Sequence, residues 1–120
     1  MYNLVKIGEK EVPMLSTASV DYFFKTIFRE DPFKIQTEHS NDPGVMIDFT
    51  IKMGFVMAKF AESTHRKDVL ALNEDSFYDW LDTFERPDLI GALDQIQDTY
   101  EAQAESGSKA KKNSEELTDK

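Results

Sequence analysis

The chain has 120 residues, room for one domain with a modest core; 40% are hydrophobic and nine are Phe. It has no Cys, which excludes disulfide stapling and thiolate metal sites and fits a reducing compartment. The net charge of -9 is uneven: residues 71–105 carry ten acids against one base, Arg86, whereas residues 1–70 carry ten acids and nine bases.

Tyr2–Ile7 and Glu11–Leu15 are short apolar runs around Gly8-Glu-Lys, the pattern of a β-hairpin with Gly8 near its turn. Pro13 puts the second strand on an edge. Ser16, Thr17 and Ser19 are N-cap candidates for a first helix. Its apolar residues Val20, Phe23, Phe24, Ile27 and Phe28 recur at helical spacing, and it stops before Pro32. Phe33–Asn41 reads as a loop or short irregular element.

Asp42-Pro43 opens the next helix, Asp as N-cap and Pro at the first helical position. Ile47 to Phe55 alternates as a strand would. A helix is nevertheless favoured, because the apolar run is long, no turn breaks it, and Val56–Glu62 prefers helix. Asp48, Lys52, Lys59 and Glu62 then form one polar stripe, with Asp48 and Lys52 as an i, i+4 pair. Phe55 falls on that stripe, a large aromatic in want of a partner. Met53 and Met57 lie nearby, and adaptable Met-rich surfaces bind varied apolar segments. Met53, Phe55 and Met57 are therefore the candidate partner-binding residues, Phe55 ahead of the two methionines, for which core filling is the usual role.

Asn73 or Ser76 caps the acidic region. Phe77, Trp80, Leu81 and Phe84 make one apolar helical stripe. After Pro87, a second stripe begins with Leu89, Leu93, Ile96 and Tyr100. The outward positions Glu74, Asp75, Asp79, Asp82, Glu85, Asp88, Asp94 and Asp98 are all acidic. This reads as a helical hairpin ending at Gly107, with Trp80 buried between its arms and a negative outer face. Such a field repels nucleic acid and anionic lipid. The expected core comprises Phe24, Phe28, Phe77, Trp80, Leu81, Phe84 and Leu93. Residues 105–120 have one large apolar residue, Leu117, and read as a disordered tail.

Candidate chemistry is sparse. Asn41-Asp-Pro-Gly44 fails as a calcium loop, because aligning Gly44 with the loop glycine leaves His39 and Thr50 where carboxylates are needed. His39 and His65 stand alone, without a second ligand at metal spacing. The glycines are scattered and form no phosphate loop. These features point away from an enzyme, and no cofactor or metal is expected. The opening Met1–Lys6 lacks the basic and apolar regions of a signal peptide. No apolar run approaches the roughly 18 residues of a membrane span, so a cytoplasmic location is expected.

The order and character of these segments resemble the tail assembly chaperones of long-tailed (siphovirus-type) phages and prophages of Gram-positive bacteria. The resemblance covers residues 2 to 104. It rests on Phe77-x-x-Trp-Leu-x-x-Phe84 followed by Pro87-Asp-Leu-Ile90, on Phe55-Val-Met-Ala-Lys-Phe60, on the Tyr-x-Leu-x-Ile opening and on the Lys-rich end. It implies a small, mainly helical protein, in line with the mainly α domain at 1–104 with an N-terminal β-hairpin to which the segments themselves point. The implied activity is to coat the aggregation-prone tape measure protein and help recruit tail tube protein in the host cytoplasm, absent from the mature virion. In many members a programmed frameshift adds a C-terminal domain, and Lys111-Lys112-Asn113 is encodable as a slippery run. Self-association is left open. The rival reading is an acidic DNA mimic that inhibits a host DNA-binding enzyme; a third is a structural tail-completion protein.

Overall fold

The computed structural model describes residues 1–63 and 65–102. Within them the protein is mainly helical, with one two-stranded antiparallel sheet at the N-terminus. The expected tail at 105–120, the helix end at Gly107 and the Lys111–Asn113 run lie outside the described residues.

Strands β1 (Tyr2–Ile7) and β2 (Lys10–Leu15) pair in the register Val5↔Val12 and Ile7↔Lys10. The two-residue turn needs a left-handed first residue, and Gly8 supplies it at φ 63°. A second constraint acts there: a Cβ on Gly8 would lie 2.5 Å from Asp88 Oδ2. Alternation sends Val5, Ile7 and Met14 inward and leaves Tyr2 and Leu4 exposed. The hairpin does lean on helices, as two strands must.

Helix α1 (Ser19–Phe28) buries all five of its apolar periodic residues. The Thr17 hydroxyl accepts a hydrogen bond from the Ser19 amide at its start, and Arg29, left-handed at φ 56°, closes its end. Helix α2 (Pro32–Glu38) occupies the segment read as a loop. Asp31 caps it and Pro32 sits in its first turn, so it repeats the Asp-Pro opening of the next helix. It buries little beyond Pro32, which is why hydrophobic periodicity did not reveal it.

Helix α3 (Pro43–Glu62) is the central element, capped by Asp42 as expected. It packs on β2, α1 and α2 and also meets α4 (Arg66–Leu70) and α5 (Glu74–Leu81). Asp48 and Lys52 form the i, i+4 pair at 3.0 Å. Helix α5 starts with a capping box, in which Asn73 Oδ1 accepts from the Ser76 amide and Ser76 Oγ accepts from the Asn73 amide. Helix α6 (Arg86–Gly91) follows a four-residue turn, and a last helix, α7, spans 93–102.

The acidic region is not a self-contained hairpin. Helix α5 packs on α3, α6 packs on β1, and α7 lies across both the sheet and α3. A Cβ on Gly54 would lie 3.1 Å from Ile96 Cγ2, so the missing side chain lets α7 approach closely. Trp80 is buried, but against Phe55 of α3 and Phe84 rather than between two arms. Phe24, Phe28 and Phe77 join it in the core. Leu81 and Phe84 are half-buried at the core's edge, and Leu93 is half-buried outside it.

Candidate functional site

Phe55 is not a surface residue. It is 0% exposed and makes edge contacts with Phe28, Phe77 and Trp80 at centroid distances of 6.1, 5.5 and 5.8 Å. Met53 and Met57 are equally buried. The polar stripe of α3 is therefore interrupted in the middle, because α5 lays Phe77 and Trp80 over it. The three residues expected to bind a partner are core, and none offers a docking surface. The missed signal was the apolar stripe of α5, which needed a face on another element to cover.

Docking α5 this way leaves an open cleft beside it, of about 620 Å³. Phe28 and Phe77 contribute buried rings to it. One wall is α3, with Asp48, Ile51 and Lys52; the other is α5, with Glu74, Tyr78 and Leu81. The turn after α5 adds Asp82 and Phe84, and α6 adds Arg86, Leu89 and Ile90. Tyr78 is 56% exposed and Ile90 46%, so the cleft presents apolar surface to solvent. Past Phe84 it meets a second hollow, of about 540 Å³, under the hairpin turn at Gly8 to Lys10.

The cations at the cleft are largely engaged. Lys52 Nζ is 2.9 Å from Glu30 and 3.0 Å from Asp48, and it lies over the Phe28 ring. Burial alone would lower its pKa; the hydrogen bonds to Glu30 and Asp48 outweigh that and raise it. Lys10 donates to the Thr83 carbonyl at 2.6 Å and lies over Phe84. All eight outward acids of the 74–98 region are exposed, and among the described residues none of them forms an ion pair.

A second polar cluster ties α7 to α1 and α2. The Tyr100 hydroxyl donates to Asp21 at 2.6 Å and accepts from the Gln36 amide at 3.1 Å. Burial raises the Asp21 pKa, the Tyr100 hydrogen bond opposes that, and nearby Asp31 adds to it; the balance is upward. The Tyr100 phenol is pushed well above its ordinary value by burial first and then by its bond to Asp21. This joins α1, α2 and α7. His39 and His65 are both exposed. Among the described residues no three His, Cys, Asp or Glu side chains are grouped to hold a metal, and no helix is long and apolar enough to cross a membrane.

The fold and cleft define a class: a small helical domain that, among the described residues, has an acidic exterior and an open apolar groove. No protein-family model, curated protein or solved structure matches the chain.

Proposed function

We propose that this protein is a tail assembly chaperone of a long-tailed phage or prophage of a Gram-positive bacterium. It holds helical segments of the tape measure protein soluble in the host cytoplasm, helps recruit tail tube protein, and is left out of the finished virion. The observation that supports this most is the apolar cleft between α3, α5 and α6, with Tyr78 and Ile90 open to solvent. Grooves of this kind take the apolar face of an amphipathic helix, and no catalytic group is required of them. The acidic exterior keeps the loaded chaperone soluble.

Co-expression of the full chain with a tape measure protein tests the reading. The tape measure protein should move from the pellet to the soluble fraction and co-elute with the chain on size exclusion. A tape measure protein that pellets equally with and without the chain rejects the proposal. The carboxylates between Glu74 and Asp98, which form no ion pair among the described residues, favour a second reading, the DNA mimic. That reading requires competition with duplex DNA for a basic host enzyme and is insensitive to the apolar cleft.

A further inference from the structure

The charge left over at the cleft, once internal partners are counted, says what kind of helix fits it. On the α3 wall, Lys52 and Asp48 neutralise one another, with Glu30 as a third partner. In the hollow beyond Phe84, the Lys10 ammonium is committed to the Thr83 carbonyl and the Phe84 ring. That leaves Glu74 and Asp82 beside the apolar opening, and Glu9, Glu85 and Asp88 around its extension. Among the described residues none of these five carboxylates has an ion-pair partner, and Arg86 is the one lining cation outside such contacts. The surface is thus apolar along its centre and negative along its margins. An anionic or neutral helix would lose hydration on those carboxylates without compensation, whereas a cationic one gains charge-assisted contacts.

We infer that the α3/α5/α6 cleft takes a cationic amphipathic helix, with its apolar face on Ile51, Tyr78, Leu81 and Ile90 and its Lys or Arg residues against Glu74, Asp82, Glu85 and Asp88. The inference rests on reading the cleft as a partner site and adds the partner's charge. A helix of this type presents apolar residues at i, i+3, i+4 and i+7 and bases on its flanks. Charge on the margins sets selectivity and association rate, while the apolar centre sets residence time.

The test uses two synthetic peptides about 20 residues long with the same Leu spacing, one flanked by Lys and one by Glu. Each is labelled and titrated with the full chain by fluorescence anisotropy. The Lys peptide should bind, and binding should weaken steeply between about 0.05 and 0.5 M salt. The Glu peptide should bind at least about tenfold more weakly. Ile90→Asp and Tyr78→Asp change exposed residues and should keep the fold by circular dichroism, yet each should weaken the Lys peptide by about tenfold or more. Glu74→Lys with Asp82→Lys should narrow the preference between the two peptides.

Equal binding of both peptides, binding of neither, or Lys-peptide binding indifferent to Ile90→Asp and Tyr78→Asp overturns the inference. So does concentration-dependent self-association in sedimentation that Ile90→Asp abolishes, because the occupant is then a second copy. If Ile90→Asp chaperones a tape measure protein as well as the unaltered chain does, this site is wrong and the chaperone reading survives. If the Lys peptide binds the cleft but the tape measure protein still pellets, the inference stands and the chaperone reading fails.

Discussion

Replacing Phe55 by Ala tests the central claim about the core. The side chain, on α3, is fully buried and touches three aromatic rings on two other helices, Phe28 of α1 and Phe77 and Trp80 of α5. Phe-to-Ala changes at such sites cost about 3–5 kcal/mol through lost transfer energy and the cavity left behind. Lost edge-to-face contacts fall within that range rather than adding to it. A small domain has only about 5–15 kcal/mol in total, so the variant should lose between about a fifth and all of its stability. At about 4–8 °C per kcal/mol, the melting temperature should fall by well over 10 °C. Urea unfolding followed by circular dichroism and by Trp80 fluorescence measures the stability, and a thermal melt measures the melting temperature. Tyr78→Ala on the exposed face of α5 is the control and should shift stability by no more than about 0.5 kcal/mol. A cost below about 1 kcal/mol for Phe55→Ala would refute the reasoning, since no buried aromatic between two helices is that cheap to remove.

Gly8→Ala should destabilise by at least about 1 kcal/mol, from the left-handed φ and the contact with Asp88, and adding Asp88→Ala should recover the contact's share only, as read by urea titration. Asp21 has a raised folded pKa, so its ionisation opposes folding; the stability it favours is present below its unfolded pKa and lost as pH rises through the folded value. Asp21→Asn, which still accepts from Tyr100, should therefore match or exceed the unaltered chain at neutral pH and lose that advantage in acid, in parallel melts. The Tyr100 phenol is also raised, so its contribution is intact below its ordinary value of about 10 and falls away above it. Tyr100→Phe should flatten the alkaline arm of the stability profile. Lys52→Met should show a weaker dependence of stability on salt than Lys52, which bridges Glu30 and Asp48 at the surface.

The elements with strong periodicity and clear caps were legible in the chain. The five apolar positions of α1, the Asp42-Pro43 opening of α3 and the Asn73–Ser76 box of α5 all stand where the residues put them. Helix α2 was not, because a short helix that buries only its proline leaves no periodic trace; its legible mark was Asp31-Pro32. Phe55 stands on the polar stripe of its own helix, yet α5 covers it. Whether a stripe is solvated depends on what another element lays over it, and that is tertiary information. The cleft escaped for the same reason: its walls come from Phe28, from residues 48–52 and from residues 74–90. Two of its residues did leave a local trace, since Tyr78 and Ile90 are large apolar side chains on otherwise acidic outward faces.

The position of α5 links the core to the cleft. Its Phe77 and Trp80 must enter the groove around Phe55 for α3 to be covered, and that fixes the helix's rotation. With the rotation fixed, Tyr78 and Leu81 point along the edge of the same face and become the cleft wall. The hairpin turn then braces the far end, through Lys10 on Thr83 and Phe84 and through the tight approach of Gly8 to Asp88. Two of these contacts fall on the turn between α5 and α6 and the third on α6 itself. A groove held open by its own core is preorganised, and the ordering cost of binding falls on the incoming helix alone. That division suits the proposed role, in which the helix to be held orders only on binding.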